Sequence, residues 1–203
     1  EEQIISIGAV LRVSPIKDVK TMIQAFAFAK KRVPKLKLWI MGPTDEDEKY
    51  AQECFDIVDS LGVSDIEFTG RVNVKEYLGR MDFTILTSIS EGQPLTILES
   101  YAAHKPTIAT DVGNCRELIY GNDDGFGAAG ILTHIMNLEE IAQAMIDLAI
   151  DPEGRKQMGE AGYKRVTSFY RIEQMKETYK EIYRRFAEEQ QAGWTEEPFQ
   201  LKR

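Results

Sequence analysis

The sequence lacks the short motifs that most often identify a nucleotide-dependent enzyme. It has no GxGxxG, which disfavours a nicotinamide or flavin enzyme, and no GxxxxGK(S/T), which excludes the P-loop NTPases. It also has no GxSxG, so a nucleophile elbow of the hydrolase type is absent. The function therefore has to be argued from other patterns.

Cysteine and histidine are scarce, with two residues of each. Cys54 and Cys115 lie far apart without the spacing of metal ligands, which favours free thiols in a reducing cytoplasm over a disulfide or a metal site. His104 and His134 are isolated, and no role is assigned to either. We therefore expect a cytoplasmic protein with no metal bound through these residues.

Basic residues are fewer than acidic ones, 25 against 33, and the chain of 203 residues has a formal net charge of −8. This balance argues against a general nucleic-acid binder, which needs a basic face, but it permits a local pocket for one diphosphate. No run of about 18 apolar residues occurs, so no membrane-spanning helix is expected. Because Glu1-Glu2-Gln3 leads directly into an apolar run at Ile4, without an initiating Met or a signal peptide, we expect a piece of a longer protein.

Short apolar runs alternate with amphipathic stretches over the first three quarters of the chain. The runs are brief, as in parallel strands covered on both faces, and lie at Ile4–Ile7, Leu36–Met41, Ile66–Thr69, Phe83–Thr87, Pro106–Thr110 and Gly130–Leu132. Helices are predicted at Val19–Val33, Glu46–Leu61, Val74–Arg80, Leu95–Ala103, Arg116–Ile119 and Leu138–Ile150. The alternation predicts an α/β fold with a doubly wound, mostly parallel Rossmann-like sheet and helices on both faces.

The pattern changes after Asp151, which closes the predicted Rossmann-like domain of residues 1–151. Two helices, Glu153–Phe169 and Arg171–Glu189, follow without a strand between them. Residues 152–190 are therefore predicted to be a helical C-terminal extension that packs on the domain. Residues 191–203 are expected to form a loose tail.

The segment from Ser88 to Ser100 carries the most specific signal. Glu91 and Gly92 follow the fourth apolar run, and Pro94 suits the first turn of a helix. Free N–H groups at such a helix start bind anions. The two carboxylates in the same segment are suited to accept hydrogen bonds from hydroxyl groups, which a nucleotide sugar carries on both its sugar and its ribose.

This segment, Glu91-Gly92-Gln93-Pro94-Leu95-Thr96-Ile97-Leu98-Glu99, resembles the E-x7-E motif of the retaining glycosyltransferases of family 4, which have the GT-B fold. Gly8, Arg12 and Lys17 resemble that family's donor-phosphate loop, although Ala9-Val10-Leu11 separates the glycine from the arginine. Gly70-Arg71 resembles the loop that packs against the nucleotide base. The resemblance covers residues 3 to 185.

Three further segments look closest to the glycosyltransferases of bacterial Pel-type exopolysaccharide synthesis. These are Ile16–Lys20, Thr87–Glu91 and Asp111–Ile119.

The resemblance implies the donor-binding half of a two-domain, metal-independent retaining enzyme, inactive by itself. Its donor would be a nucleotide diphosphate sugar, and the Pel-type resemblance implies UDP-glucose. Its acceptor, a growing polysaccharide or other glycan, would be held by a missing N-terminal domain toward which the C-terminal helices pack. A membrane-associated polysaccharide-synthesis complex would be its partner, and nucleic acid would not.

The same resemblance assigns roles to individual residues. Arg12 and Lys17 would neutralise the departing diphosphate, and Glu91 would contact the donor sugar. The remaining donor-binding set would be Gly8, Arg71, Gly92, Gln93, Pro94, Leu95, Thr96 and Glu99, with Glu99 on the ribose hydroxyls.

Other functions stay open at this point. A nucleotide-sugar epimerase and a sugar phosphorylase use the same two-domain architecture, and a non-catalytic nucleotide-sugar-binding module would keep the binding residues without the reaction. A receiver-like domain would need acids after the first strand, where Gly8-Ala9-Val10 stands. Asp45-Glu46-Asp47-Glu48 contains a D-x-D sequence. It lies at the start of a predicted helix, where acidic side chains interact favourably with the helix dipole, so no metal site is predicted.

Overall fold

A parallel sheet of six strands forms the centre of the part of the chain that the computed structural model describes, residues 4–192. The strand order is β3-β2-β1-β4-β5-β6, and every neighbouring pair is parallel. The strands are β1 Ile5–Val10, β2 Leu36–Met41, β3 Ile66–Gly70, β4 Phe83–Leu86, β5 Thr107–Thr110 and β6 Gly130–Thr133. The predicted doubly wound α/β sheet is confirmed.

Helices follow the strands in the predicted alternation. After a 3-10 turn at Pro15–Lys17 come α1 Val19–Arg32, α2 Glu48–Leu61, α3 Val74–Leu78, α4 Leu95–Ala102, α5 Cys115–Tyr120 and α6 Leu138–Ile150. Two long helices end the described chain, α7 Pro152–Phe169 and α8 Ile172–Ala192. None of the helices within residues 4–192 is both long and apolar enough to cross a membrane.

Alternate residues of β4 show how helices cover both faces of the sheet. Phe83 and Ile85 belong to the apolar core that α1, α2 and α6 share with the sheet. Thr84 lies between them and faces the other way, because successive side chains of a strand point to opposite faces. Its hydroxyl bonds to Ser100 Oγ of α4 at 2.9 Å, so α4 covers the second face.

The first strand is longer than predicted, and this changes the placement of Gly8. The sequence predicts that the strand ends at Ile7, but β1 continues to Val10 because Gly8, Ala9 and Val10 pair with β2. Gly8 also pairs with Thr84 of β4 and is buried inside the sheet. Its expected position in the loop after the strand is therefore wrong.

The described chain divides into two compact units between Thr167 and Ser168. In the first unit, α7 packs closely on the turn after α4, where a side chain at Gly159 would clash with the carbonyl oxygen of His104. In the second unit, Gln174 Nε2 donates to Ser168 O at 2.7 Å across the start of α8. Helix α8 continues through Ala192, and the rest of the predicted tail, residues 193–203, lies outside the described residues.

Candidate functional site

The strand order reverses between β1 and β4, which lie side by side in the sheet. From β1 the chain builds outward through β2 to β3, and from β4 through β5 to β6. Open parallel sheets bind ligands in the crevice at the carboxyl ends of the strands where this reversal occurs. The loops after β1 and β4 carry Arg12, Lys17 and Glu91, so the three residues that the sequence predicts to be catalytic lie at this edge of the sheet.

Backbone hydrogen bonds hold the ends of β1, β2 and β3 together. Leu11 N donates to Met41 O at 3.0 Å, and Gly42 N donates to Gly70 O at 2.9 Å. Gly42 has a φ of 150°, and a β-carbon there would clash with the carbonyl oxygen of Leu11. Glycine is required at this close approach. The three loops beyond these residues consequently lie side by side.

These three loops meet in a charged rim at the sheet edge. Arg12 NH1 lies 3.2 Å from Glu46 Oε2, and Arg71 NH2 lies 3.2 Å from Glu46 Oε1 and 3.3 Å from Asp45 Oδ1. The side chains of Arg12 and Arg71 are 58% and 63% exposed. Ion pairs this exposed contribute only about 0–1 kcal/mol each, so incoming anions compete with them easily.

A second, far less exposed ion pair joins the β1 and β4 loops. Lys17 Nζ lies 2.5 Å from Glu91 Oε1, across 74 residues of sequence. The two side chains are only 18% and 12% exposed. Ser88 Oγ donates to the same carboxylate oxygen at 2.6 Å. This pair therefore has a fixed geometry, with both residues at the crevice.

The backbone fixes the same two loops to each other. Thr87 Oγ1 donates to Lys17 O at 2.9 Å, and Ile89 N donates to Ile16 O at 2.9 Å. Because these bonds use the carbonyls of the 3-10 turn, the loops after β1 and β4 form one structural piece beneath Lys17 and Glu91.

The start of α4 faces this crevice with its first amides open. Pro94 is the N-cap residue, and it forms no side-chain cap hydrogen bond. Leu95 is the first helical residue and is 66% exposed. The first four N–H groups of a helix have no partner within the helix and carry its positive dipole end. The amides near Leu95 and Thr96 are thus available to an anion.

Glu99 is exposed, although it follows the apolar run Leu95–Leu98 in the sequence. Ile97, Ser100 and Tyr101 form the buried side of α4. A helix carries its buried positions on one side only, and Glu99 lies on the other. Gly92 and Gln93 are also exposed, in the loop before α4.

The loop after β5 also supports the site, although the sequence alone gives this segment only a resemblance and no role. Asn114 N donates to Gly92 O at 2.8 Å, and Thr110 Oγ1 donates to Ser88 O at 2.5 Å. A side chain at Gly113, whose φ is 52°, would clash with the carbonyl oxygen of Glu91. The signal that could have revealed it is a glycine three residues after the end of a strand.

Asp18 is a buried acid beside the site that sequence reasoning also missed. It is 8% exposed and has a φ of 46°. Thr21 Oγ1 donates to its Oδ1 at 2.9 Å, whereas its Oδ2 is buried without a hydrogen-bond partner among the described residues. Burial raises the pKa of the Asp18 carboxyl, which outweighs the lowering by Thr21.

The two cysteines are free thiols, as the sequence predicted. Both are buried, and burial raises the pKa of Cys54 and of Cys115 to about 11. A thiol of this pKa stays protonated at neutral pH and is a poor nucleophile. Neither cysteine is a candidate for covalent catalysis. Within the described residues, no cluster of three or more His, Cys, Asp or Glu is arranged to hold a metal ion.

Comparison with known proteins identifies the family. The sequence profile of the group 1 glycosyl transferases matches residues 1–165. The chain belongs to this family. The group 1 glycosyl transferases that it resembles include the putative glycosyltransferase EpsD of Bacillus subtilis, 29% identical over 168 residues, which are 80% of this chain and 42% of that protein. N-acetyl-alpha-D-glucosaminyl L-malate synthase of Bacillus anthracis is 31% identical over 170 residues, 83% of this chain and 42% of the enzyme.

Solved structures place this group 1 glycosyl transferase domain among the C-terminal-type domains of GT-B enzymes. The C-terminal domain of the group 1 protein LpcC from Francisella tularensis is 26% identical with a TM-score of 0.72, over 83% of this chain and 87% of that domain. Anabaena HepE, solved with UDP-glucose, has a TM-score of 0.79 at 19% identity, over 89% of this chain and 49% of HepE. The chain thus spans less than half the length of the two curated relatives.

Proposed function

We propose that this chain is the donor-binding domain of a retaining glycosyltransferase of family 4. Its ligand is a nucleotide diphosphate sugar bound in the crevice between the β1 and β4 loops. The observation that carries this proposal is the Lys17–Glu91 pair, 2.5 Å apart, beside a helix start without a side-chain cap. A cation, a carboxylate and open amides together match a ligand that has both phosphates and hydroxyl groups.

The chemistry follows from where charge develops in the reaction. Breaking the bond between the sugar and the diphosphate leaves negative charge on the phosphate, which Arg12, Lys17 and the α4 amides stabilise. Each charge-assisted hydrogen bond is worth about 1.5–3 kcal/mol. Two of them lower the barrier enough for about a 10²–10⁴-fold rate increase. Glu91 contacts the sugar hydroxyls, Glu99 the ribose, and the loop of Arg71 the base.

The remaining parts of the proposal rest on relatives and on the chain's extent. UDP-glucose as donor is supported by HepE, a structure of the same fold that was solved with it. An exopolysaccharide acceptor of the Pel type, at a membrane-associated synthesis complex, is in keeping with relatives such as the exopolysaccharide phosphotransferase of Streptomyces coelicolor. We further propose that the reaction needs no metal and takes place in the cytoplasm. The acceptor binds to a second domain, without which this chain does not transfer sugar.

Calorimetric titration of the chain with UDP, UDP-glucose, ADP and GDP tests the proposal. Uridine ligands should bind preferentially, and Lys17→Met should weaken them about tenfold or more through loss of a charge-assisted bond. Lys31→Met is the matched control, since Lys31 is an exposed residue in the last turn of α1, and it should bind as the wild type does. Equal affinity in Lys17→Met and wild type would contradict the proposed site.

A further inference from the structure

Glu46 is the one acid in the site that contacts two arginines from different loops, among the residues that the structure describes. Its two carboxylate oxygens each lie 3.2 Å from a guanidinium nitrogen, one of Arg12 and one of Arg71. A phosphate group binds guanidinium groups through the same kind of paired oxygens. The carboxylate of Glu46 therefore stands where a phosphate oxygen of a ligand would contact Arg12.

The positive charges of the site are already neutralised by carboxylates, so a phosphate ligand has to displace a carboxylate from one of the cations. Arg12, Lys17 and Arg71 are all paired with carboxylates, those of Glu46, Glu91 and, for Arg71, also Asp45. The three cations are thus balanced before any ligand arrives. A diphosphate adds negative charge next to these carboxylates, and like charges at short range oppose each other.

We propose that Glu46 is a displaceable stand-in for the donor phosphate, which holds Arg12 in the ligand-free protein and releases it to the diphosphate. The inference rests on the proposed function and adds a residue that sets the affinity for the donor. On release from Arg12, the Glu46 carboxylate keeps its contact with Arg71. The NH1 group of Arg12, which contacts Glu46 in the ligand-free protein, is then free to donate to the phosphate.

Exposure explains why Glu46 is released and Glu91 is not. The Glu91 side chain is 12% exposed, and one of its oxygens accepts from both Lys17 and Ser88. Separating such a pair would leave a buried charge without a partner, which is strongly unfavourable. The Glu46 side chain is 36% exposed, in a bend before the α2 N-cap residue Asp47. It can move away from Arg12, still in contact with Arg71, without disturbing a helix.

Glu46→Gln tests the inference in the chain as it exists. The amide is nearly isosteric and neutral, so it no longer competes with the diphosphate for Arg12. UDP should bind about fivefold more tightly at low salt, the size expected for loss of an exposed ion pair. The gain should shrink as ionic strength rises, because salt screens exposed charges.

Two controls separate this contact from a general charge effect. Glu48→Gln removes the same charge two residues away, at the exposed start of α2, and no contact of Glu48 with either arginine exists within residues 4–192. It should leave the UDP affinity close to that of wild type. In an Arg12→Ala background, Glu46→Gln should lose its effect, since the competition acts through Arg12.

Each outcome has one meaning. Tighter UDP binding in Glu46→Gln, absent in Glu48→Gln and in the Arg12→Ala background, supports the inference. Wild-type binding of UDP with equal or weaker binding in Glu46→Gln overturns the inference and leaves the proposed function standing. Failure of the wild type and both Gln variants to bind any of UDP, ADP and GDP overturns the proposed function and this inference with it.

Discussion

Lys17 and Asp18 are neighbours in the chain and have opposite environments. The ammonium group of Lys17 reaches the crevice and pairs with Glu91, while the Asp18 carboxylate is buried at the start of α1 with one oxygen unpaired. The left-handed backbone conformation of Asp18 causes the two side chains to point into different environments. Asp18 is both the residue that ends the 3-10 turn and the residue that begins α1. The protein therefore places the cation that we propose binds phosphate directly beside a destabilising acid.

Asp18→Asn should stabilise the protein by about 1 kcal/mol at pH 7, because it replaces a buried, incompletely hydrogen-bonded carboxylate with a neutral amide. The amide keeps an oxygen for Thr21, tolerates the left-handed conformation and carries no charge. Because burial raises the pKa of Asp18, its ionised form is the unfavourable one, and wild type regains stability as pH falls through that pKa. Urea unfolding should show a larger advantage of Asp18→Asn at pH 7 than at pH 4.

Asp123→Asn provides the comparison for this change. Asp123 has a φ of 55° and is exposed, so the same substitution at the same backbone conformation should alter the free energy of unfolding little. A loss of stability in Asp18→Asn, with Asp123→Asn unchanged, would mean that the Asp18 charge is favourable where it lies.

Among the secondary-structure elements, the positions of strands and helices could be predicted from the sequence because their apolar periodicity is local. The end of β1 could not, since Gly8 and Ala9 have no strand preference of their own and are held in the strand by their neighbours in the sheet. The loop residues Arg12, Lys17 and Glu91 could be identified as a set from their motifs. Their partners could not, because Glu46 and the β5 loop reach them only through the tertiary fold.

The β5 loop makes a testable contribution to the site through Gly113. Gly113→Ala should push the Glu91–Gly92 peptide away, lower UDP affinity about tenfold and lower stability by about 1 kcal/mol or more, since alanine also disfavours a φ of 52°. Gly125→Ala is the matched control, with a φ of 71° and no atom within 4 Å of the added carbon. It should reduce stability and leave UDP affinity unchanged. Equal UDP affinity in both variants and wild type would remove the β5 loop from the site.

On the scale of the whole first unit, one buried arginine connects α7 to the rest of the domain. Arg165 is 1% exposed, and its N–H groups donate to both carboxylate oxygens of Asp124 and to the carbonyls of Leu118, Ile119 and Gly127. Every guanidinium donor has an acceptor, so the buried charge is fully compensated. The hydrogen bond from Arg165 lowers the pKa of the Asp124 carboxyl.

Arg165→Met should cost about 3–5 kcal/mol, because it leaves Asp124 buried without its partner. A lowered carboxyl pKa means that Asp124 stabilises the fold above its ordinary pKa of 3.8 and that this contribution is lost as pH falls through the folded-state pKa. Denaturant unfolding between pH 3 and pH 7 should therefore show wild type losing stability in acid and Arg165→Met losing less. A parallel pH dependence in the two proteins would contradict the assigned role of Asp124.

The contacts between the β1 and β4 loops have a practical consequence for protein engineering. Besides the Lys17–Glu91 ion pair, they are made by the main-chain atoms of Ile16, Lys17 and Ile89 and by the Thr87 hydroxyl. The Ile89 side chain is 38% exposed, and only the backbone N–H of this residue takes part in joining the loops, so position 89 can be exchanged without breaking these contacts. A fluorescent or photo-crosslinking amino acid installed there would report the arrival of a ligand at the crevice, with Lys17, Glu91 and the surrounding loops still in place.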